Sequence, residues 1–241
     1  MTMKMLWAIV AQGALLASAS PMKRAQASDD DQALIAKLKT DGAKLDEYHD
    51  ILDGRNVTQA TVFDFNARYP VPGAEGGEVS RAYVNNFPIL LDTDISFSFS
   101  TLGVCGIFFP HFHPRANELF AVIEGEVGFG ATYETAINPS DDAKPIGTLN
   151  GILSKFQGTL FPQGAIHWQI NDSEKCEPAT VVAAFGSDDP GIAPVLQQVA
   201  GGDNLNTGMQ EADVGDIEQY YPLLPPALVD ASKKCLKRCK K

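Results

Sequence analysis

The sequence predicts one all-β domain, a sandwich or barrel of short strands, with helical segments at its two ends. Short apolar stretches separated by glycine and proline turns recur over much of the chain. The clearest is 95–101, where apolar side chains alternate with serine. That alternation predicts a half-buried strand with one face on the core and the other on water or a polar interior. A chain of 241 residues fits one large domain or two small ones, and no internal repeat favours two.

Residues 1–19 are expected to be a secretory signal peptide, with residue 27 as an alternative end. Lys4 precedes an apolar run, and small residues follow it at 17–19. Cleavage removes Lys4 and no acid, so the net charge changes from −11 to −12. A surface this acidic disfavours nucleic acid and anionic membranes. No other stretch has the 18 or so apolar residues of a membrane span.

Residues 28–56 are expected to form an N-terminal helical extension. Apolar spacing predicts a helix over 29–53, capped by the serine or aspartate at its start and interrupted by Gly42. His49 has polar neighbours in this helix and is expected at the surface.

The β-barrel is expected over 57–200. Its strand signals begin at 61–65. The apolar run 118–123 ends in a glutamate–glycine turn, which predicts a hairpin through Gly125.

Residues 201–241 are expected to form a C-terminal helical arm. Glycines near its start break the strand pattern, and two helices are predicted, a short one over 214–220 and a longer one over 225–237.

Secretion makes disulfides plausible, and the four cysteines, at 105, 176, 235 and 239, allow three pairings. Cys235 and Cys239 lie one turn apart on the predicted helix, which makes a bond between them geometrically awkward. We expect Cys176 to pair with one of these two and to tie the helix to the barrel.

Three of the four histidines, with one glutamate, predict a metal site. In a strand, His111 and His113 project from the same face. The hairpin is expected to bring Glu118 back towards them, and His167 follows a turn farther along. A lone His-x-His pair is more often structural, and an unpaired buried glutamate is costly. Three imidazoles and one carboxylate together suit a divalent first-row metal and leave positions open for water or substrate.

The same residues carry a family resemblance. The chain resembles the cupins. Within that family it is most similar to the germin-like branch, and above all to its spherulin-type members, over about residues 30–230. This resemblance implies a single jelly-roll barrel. It also implies a C-terminal arm that packs on a neighbouring subunit, and therefore a homo-oligomer, a hexamer or a trimer. The positions that resemble the first cupin motif are Gly106, His111, His113, Glu118 and Gly125, and those that resemble the second are Pro162, Gly164, His167 and Asn171.

Similarity to germins implies Mn(II), although the ligands alone would equally admit iron, nickel, copper or zinc. Oxalate-oxidising germins carry an asparagine where this chain has Phe108, and another near Ser98. A phenyl ring cannot hydrogen-bond oxalate, so oxalate oxidation is the less expected activity. Phe108, Phe109 and Phe120 predict a drier pocket, and Gln169 shares the strand parity of His167 and is expected beside the metal ligands.

Two functional hypotheses follow. A divalent ion with one carboxylate has a net charge of +1, which favours a small anion. The first hypothesis is therefore a secreted manganese oxidoreductase acting on superoxide or a small carboxylate. The second is a non-catalytic metal-binding protein of a cell wall, spore coat or store.

Of the two glycosylation sequons, Asn56 is favoured, because the other contains the motif residue Asn171.

Overall fold

The computed structural model describes residues 28–66, 69–70, 76–133, 149–195, 209–211 and 220–239. The expected signal peptide, and the expected short helix over 214–220 apart from its last residue, lie outside these residues. No helix within the described ranges is long and apolar enough to cross a membrane.

Three short helices open the described chain: α1 (Asp29–Leu38), α2 (Lys44–Leu52) and α3 (Val57–Thr61). The predicted cap and interruption are confirmed, because the Ser28 side chain accepts a hydrogen bond from the backbone of Asp31 and the chain leaves the helix before residue 42. His49 is exposed, as expected. The helices share a small core of their own, made of Leu34, Leu38, Ile51, Ala60 and Leu91.

The strand predicted over 61–65 is absent, because α3 extends to Thr61 and the next residues pair with no strand. Aromatic packing takes the place of a β-ladder there. The rings of Phe63 and Phe65 contact each other at 4.8 Å, and each also meets a second ring, Phe87 or Phe97, at 5.4 Å. The apolar alternation that resembled a strand is therefore satisfied by rings packed on the outside of the barrel.

Two antiparallel sheets form the barrel, a jelly roll as expected. The first sheet contains, in spatial order, β1 (Tyr69–Pro70), β2 (Gly77–Ala82), β3 (Ser96–Leu102), β10 (Ala179–Phe185), β5 (Glu118–Glu124) and β8 (Gly158–Phe161). The second contains β11 (Ala193–Pro194), β4 (Gly106–Phe112), β9 (Ile166–Ile170), β6 (Glu126–Thr132) and β7 (Leu149–Ser154), and β12 (Met209–Glu211) also pairs with β4.

The turn at Gly125 exists, but the predicted hairpin is wrong. Strand β5 pairs with β10 and β8, whereas β6 pairs with β9 and β7, so the turn carries the chain from one sheet to the other. Gly125 has φ +88°, and a Cβ there would lie 3.0 Å from the side chain of Ala179. Glycine thus permits a corner too sharp and too closely packed for other residues.

The space between the sheets combines an apolar core with one polar strand. Phe120, Val122, Val181 and Phe185 belong to the buried cluster there. On β3 the serines at 96, 98 and 100 are buried, while the phenylalanines between them are half-buried on the opposite face. The predicted alternation is confirmed, and its serine face meets a polar interior, but the apolar face expected on the core lies on the outside, where Ile95 is 58% exposed.

The C-terminal helix α4 (Pro226–Cys239) covers the outer face of the second sheet. Its fully buried Leu228 packs in a cluster with Ile107, Phe109 and Trp168 of that sheet. The resemblance had implied an arm on a neighbouring subunit, whereas this helix lies on its own barrel. Its apolar stripe is matched by the apolar outer faces of β4 and β9, which explains why β4 is buried on both sides.

Two disulfides fix α4 to the barrel. Cys176 pairs with Cys239, one of its two expected partners, and Cys105, which had been assigned none, pairs with Cys235. The two bonds join residues 63 and 130 positions apart, so they remove considerable freedom from the unfolded chain. None of these sulfurs is free to bind zinc.

Leu228→Ala is expected to lower the free energy of unfolding by about 2–5 kcal/mol, because it opens a cavity under α4. Leu223→Ala, at a side chain that is 49% exposed, is the control and is expected to change stability by less than about 1 kcal/mol. Urea denaturation of both variants with disulfides intact measures this. Equal stability losses would show that the helix does not pack as described.

Candidate metal centre

The four side chains predicted to share a metal come together between the two sheets. His111 on β4 and His167 on β9 are direct neighbours across the second sheet. His113 follows the end of β4, and Glu118 begins β5 in the first sheet. Their ligand atoms all lie within 4.8 Å of one another, and none of the four residues is more than 4% exposed. The cluster therefore bridges the two sheets deep inside the barrel.

A β-bulge in β4 determines which face of the strand Phe108 and His111 occupy. Between Phe108 and His111 the pairing of β4 with β9 slips by one residue. Strict alternation would place an odd and an even residue on opposite faces, but the bulge turns Phe108 and His111 into the same interior. Pro110 lies in the irregular stretch, where the lack of an N–H donor is tolerated.

Backbone carbonyls orient all three imidazole rings. The Nδ1 atom of His111 donates to the carbonyl of Phe109 at 2.7 Å, and that of His167 donates to Ala165 at 2.8 Å. His113 makes the same bond to the carbonyl of Gly191. Because Nδ1 carries a hydrogen in each ring, Nε2 is the atom left to face the shared point, where it binds a metal through its lone pair or, if it too carries a hydrogen, donates to Glu118. Metal ligation requires this tautomer.

The electrostatics of the cluster favour a shared cation. Burial, together with His167 and His113, lowers the pKa of His111 well below its ordinary value, so this ring is neutral. Burial alone would raise the pKa of Glu118, but hydrogen bonds from His113 and His167 hold it well below its usual range. An ionised carboxylate thus lies 2.9 and 3.0 Å from two Nε2 atoms.

One proton can bridge Glu118 to only one imidazole ring at a time. A metal ion is attracted to all four ligand atoms at once. The 4.8 Å span is comparable with the roughly 4 Å between opposite ligands on a first-row metal. The donor set therefore fits such an ion.

Aromatic rings pack against two of the histidines. The Phe161 ring stacks on His167 with centroids 4.2 Å apart and planes 7° from parallel, and Phe185 lies 4.7 Å from His113. Rings packed in this way have little freedom to rotate, so the Nε2 atoms stay directed at one point.

The loop between β10 and β11 is far from His113 in the sequence but contacts it directly in the structure. Its residue Gly191, which accepts the His113 bond, has φ +66° and lies directly against Arg115. The Arg115 side chain donates to the Asp189 carbonyl at 2.6 Å and pairs with its carboxylate at 2.8 Å, and its backbone N–H donates to Pro190. Arg115 thereby anchors the loop that orients a predicted ligand. The sequence analysis did not identify Arg115 as a site residue.

A small cavity of about 30 Å³ adjoins the cluster. Phe108 and Gln169 line it, as expected, but Phe109 does not, because it points to the opposite face of β4 and packs under α4. The predicted drier pocket is therefore wrong for that ring. The residues that line the cavity are Val79, Arg81, Tyr83, Ser98, Ser100, Phe108, His111, His113, Glu118, Phe120, Gln169, Val181, Val182, Ala183, Phe185 and Ile192.

Sequence reasoning did not identify Arg81, Tyr83 or Ser100 as cavity residues. The serine alternation on β3 was a usable signal for Ser100, because a polar face on a buried strand must have a polar space to face. Nothing comparable marked Arg81 or Tyr83.

The two glycosylation sequons differ in access. The Asn171 side chain is 1% exposed, and its amide donates to the carbonyls of Leu102, Gly103 and Glu177. Asn56 is exposed at the start of α3, where its side-chain oxygen accepts from the backbone of Thr58. Only Asn56 of these two therefore presents a free amide to solvent.

Comparison with known proteins agrees with this architecture. The cupin family model matches residues 65–212. Spherulin-1A of Physarum polycephalum is 31% identical over 209 residues, which cover 86% of this chain and 78% of the spherulin. Germin-like protein 4-1 of Oryza sativa subsp. japonica is 33% identical over 153 residues, covering 61% of this chain and 58% of its own.

A solved structure of recombinant oxalate oxidase in complex with glycolate superposes with a TM-score of 0.52 at 19% identity. The match covers 77% of this chain and 85% of that one, and at this identity it supports the fold alone. The family match, the spherulin similarity and the two facing antiparallel sheets agree with one another. The chain belongs to the cupin family, in the group that includes the spherulins and the germin-like proteins.

Proposed function

We propose that this chain is a secreted metal-binding cupin in which His111, His113, His167 and Glu118 hold one divalent first-row metal, Mn(II) before the others. The observation that carries the proposal is the convergence of three correctly oriented Nε2 atoms and one ionised carboxylate at a buried point. Mn(II) rests on similarity to germins, since the ligand chemistry admits several metals.

We propose that the site acts as an oxidoreductase on superoxide or a small carboxylate. A redox-active metal would supply the electron transfer, and the protein supplies binding, orientation and exclusion of water. Glu118 lowers the charge of the loaded site to +1, which leaves it attractive to a small anion. Phe108, Phe120 and Phe185 restrict how much water shares the cavity.

The alternative proposal is a non-catalytic metal-binding protein of a cell wall, spore coat or store. Similarity to spherulin-1A supports it, together with the burial of the site and the small cavity beside it. In that case the metal joins the two sheets and stabilises the fold, because it binds the folded chain and not the unfolded one.

Export, glycosylation and assembly are part of the proposal. The two disulfides are typical of an oxidising compartment, and Asn56 is accessible for glycan. A homo-oligomer, a hexamer or a trimer, follows from the germin resemblance. Because α4 lies on its own barrel, the contacts between subunits would involve other surfaces as well.

His111→Ala and His167→Ala are each expected to reduce metal content from about one ion per chain to near zero, because two imidazoles and a carboxylate hold a divalent ion poorly. His49→Ala, at the exposed histidine of α2, is the matched control and is expected to keep the ion. Elemental analysis of protein secreted into manganese-containing medium, or purified from its natural source, measures this. Full metal content in both barrel variants would refute the proposed ligands.

Turnover assays on the same proteins separate the two functions. Metal-dependent loss of superoxide, or hydrogen peroxide from a small carboxylate such as oxalate, that disappears in His111→Ala supports the enzyme. A tightly held metal with no turnover supports the structural role.

Arg115→Ala is expected to weaken metal affinity about 10-fold or more, because it frees the loop whose Gly191 carbonyl orients His113. Competition with a metal-sensitive chelator dye measures the affinity. Arg238→Ala is the control: Arg238 lies near the end of α4, where it bonds to Asp172 and Ser173 outside the cavity. If both variants bound metal as the wild type does, the loop would have no role in orienting the ligand.

A further inference from the structure

The cavity beside the metal ligands has a second, cationic side. Arg81 and Ser98 are direct partners across β2 and β3, and Ser100 is the partner of Val79 on the same two strands. All four line the cavity from the first sheet. The predicted metal ligands His111 and His113 line it from the second sheet and its edge. A molecule in the cavity would therefore lie between these two groups.

Gln169 supplies an independent sign that this space accepts a ligand. It lies on β9 opposite Phe108, its side chain is 1% exposed, and it lines the cavity. Its amide nitrogen Nε2 has no hydrogen-bond partner. A buried donor without an acceptor is unfavourable, and a bound acceptor oxygen would satisfy it.

The charge around the cavity selects the kind of acceptor. Glu118 is the only acidic side chain among the described residues that line it, and Glu118 is already engaged with His113 and His167. Arg81 has no ion pair with any carboxylate in the described part of the chain. A guanidinium, an amide N–H and serine hydroxyls together match a carboxylate group.

We propose that Arg81 and Gln169 form a recognition site for the carboxylate of a small organic anion, in the same cavity as the proposed metal ligands. This inference rests on the proposed function, and it selects a small carboxylate over superoxide as the ligand. Arg81 donates to the carboxylate from the first sheet and Gln169 from the second. The cavity is small, so a short anion is the first one to test.

Glycolate and glycolamide provide the test, because they are similar in size and shape and differ in charge. Calorimetry is performed on the wild type, Arg81→Gln, Arg81→Lys and Gln169→Leu, each in metal-loaded and metal-free form. The wild type is expected to bind glycolate at least 10-fold more tightly than glycolamide. Arg81→Gln is expected to abolish that preference, Arg81→Lys to keep part of it, and Gln169→Leu to weaken glycolate binding several-fold.

Arg55→Gln removes the same charge from the N-terminal region, where Arg55 lies near Asp31, and is expected to bind glycolate as the wild type does. Metal content, measured first, tests the proposed function separately, and the metal-free series tests Arg81 even if no metal is held. Equal glycolate affinity in the wild type and Arg81→Gln would overturn the inference. So would equal affinity of the wild type for glycolate and glycolamide.

Discussion

The structure depends on one energetic constraint: an ionised carboxylate and imidazole lone pairs are buried together between two sheets. Burying Glu118 without a cation would cost several kcal/mol, and among the described residues its close polar partners, at 2.9 and 3.0 Å, are the Nε2 atoms of two histidines. Because Glu118 comes from one sheet and the histidines from the other, whatever neutralises this cluster also holds the sheets together. We infer that metal binding and barrel stability are coupled.

Much of the surrounding structure limits the freedom of that cluster. A bulge in β4 turns His111 inward, carbonyl groups fix the tautomer of each ring, and Phe161 stacks on His167. Arg115 anchors the loop that supplies one of those carbonyls. On the far side of the second sheet, α4 and its two disulfides support β4 and β9 from outside. The positions of the four predicted metal-binding side chains are thus set by the strands, rings and helix packed around them.

Local signals in the sequence predicted part of the ligand cluster, whereas the hairpin expected to bring Glu118 to the histidines does not form and the full set of four was supported by the family resemblance. Period-two spacing placed His111 and His113 on one face, and turn residues marked where the strands around Glu118 and His167 begin. What it could not predict depends on long-range pairing. Whether the turn at Gly125 closes a hairpin or crosses between sheets is decided by which strands pair, and an alternating aromatic run at 61–65 packs equally well without a partner strand. A bulge shifts one residue and reverses the face of Phe109. Arg81 faces the cavity only because β2 pairs with β3 in one particular register.

The most direct test is a crystal structure of the metal-loaded protein with anomalous diffraction measured at the absorption edge of the metal. The account predicts one strong peak between the two sheets, with the Nε2 atoms of His111, His113 and His167 and a Glu118 oxygen all about 2.0–2.3 Å from it. A peak elsewhere, or a fully loaded protein whose ion contacts none of these four side chains, would contradict it.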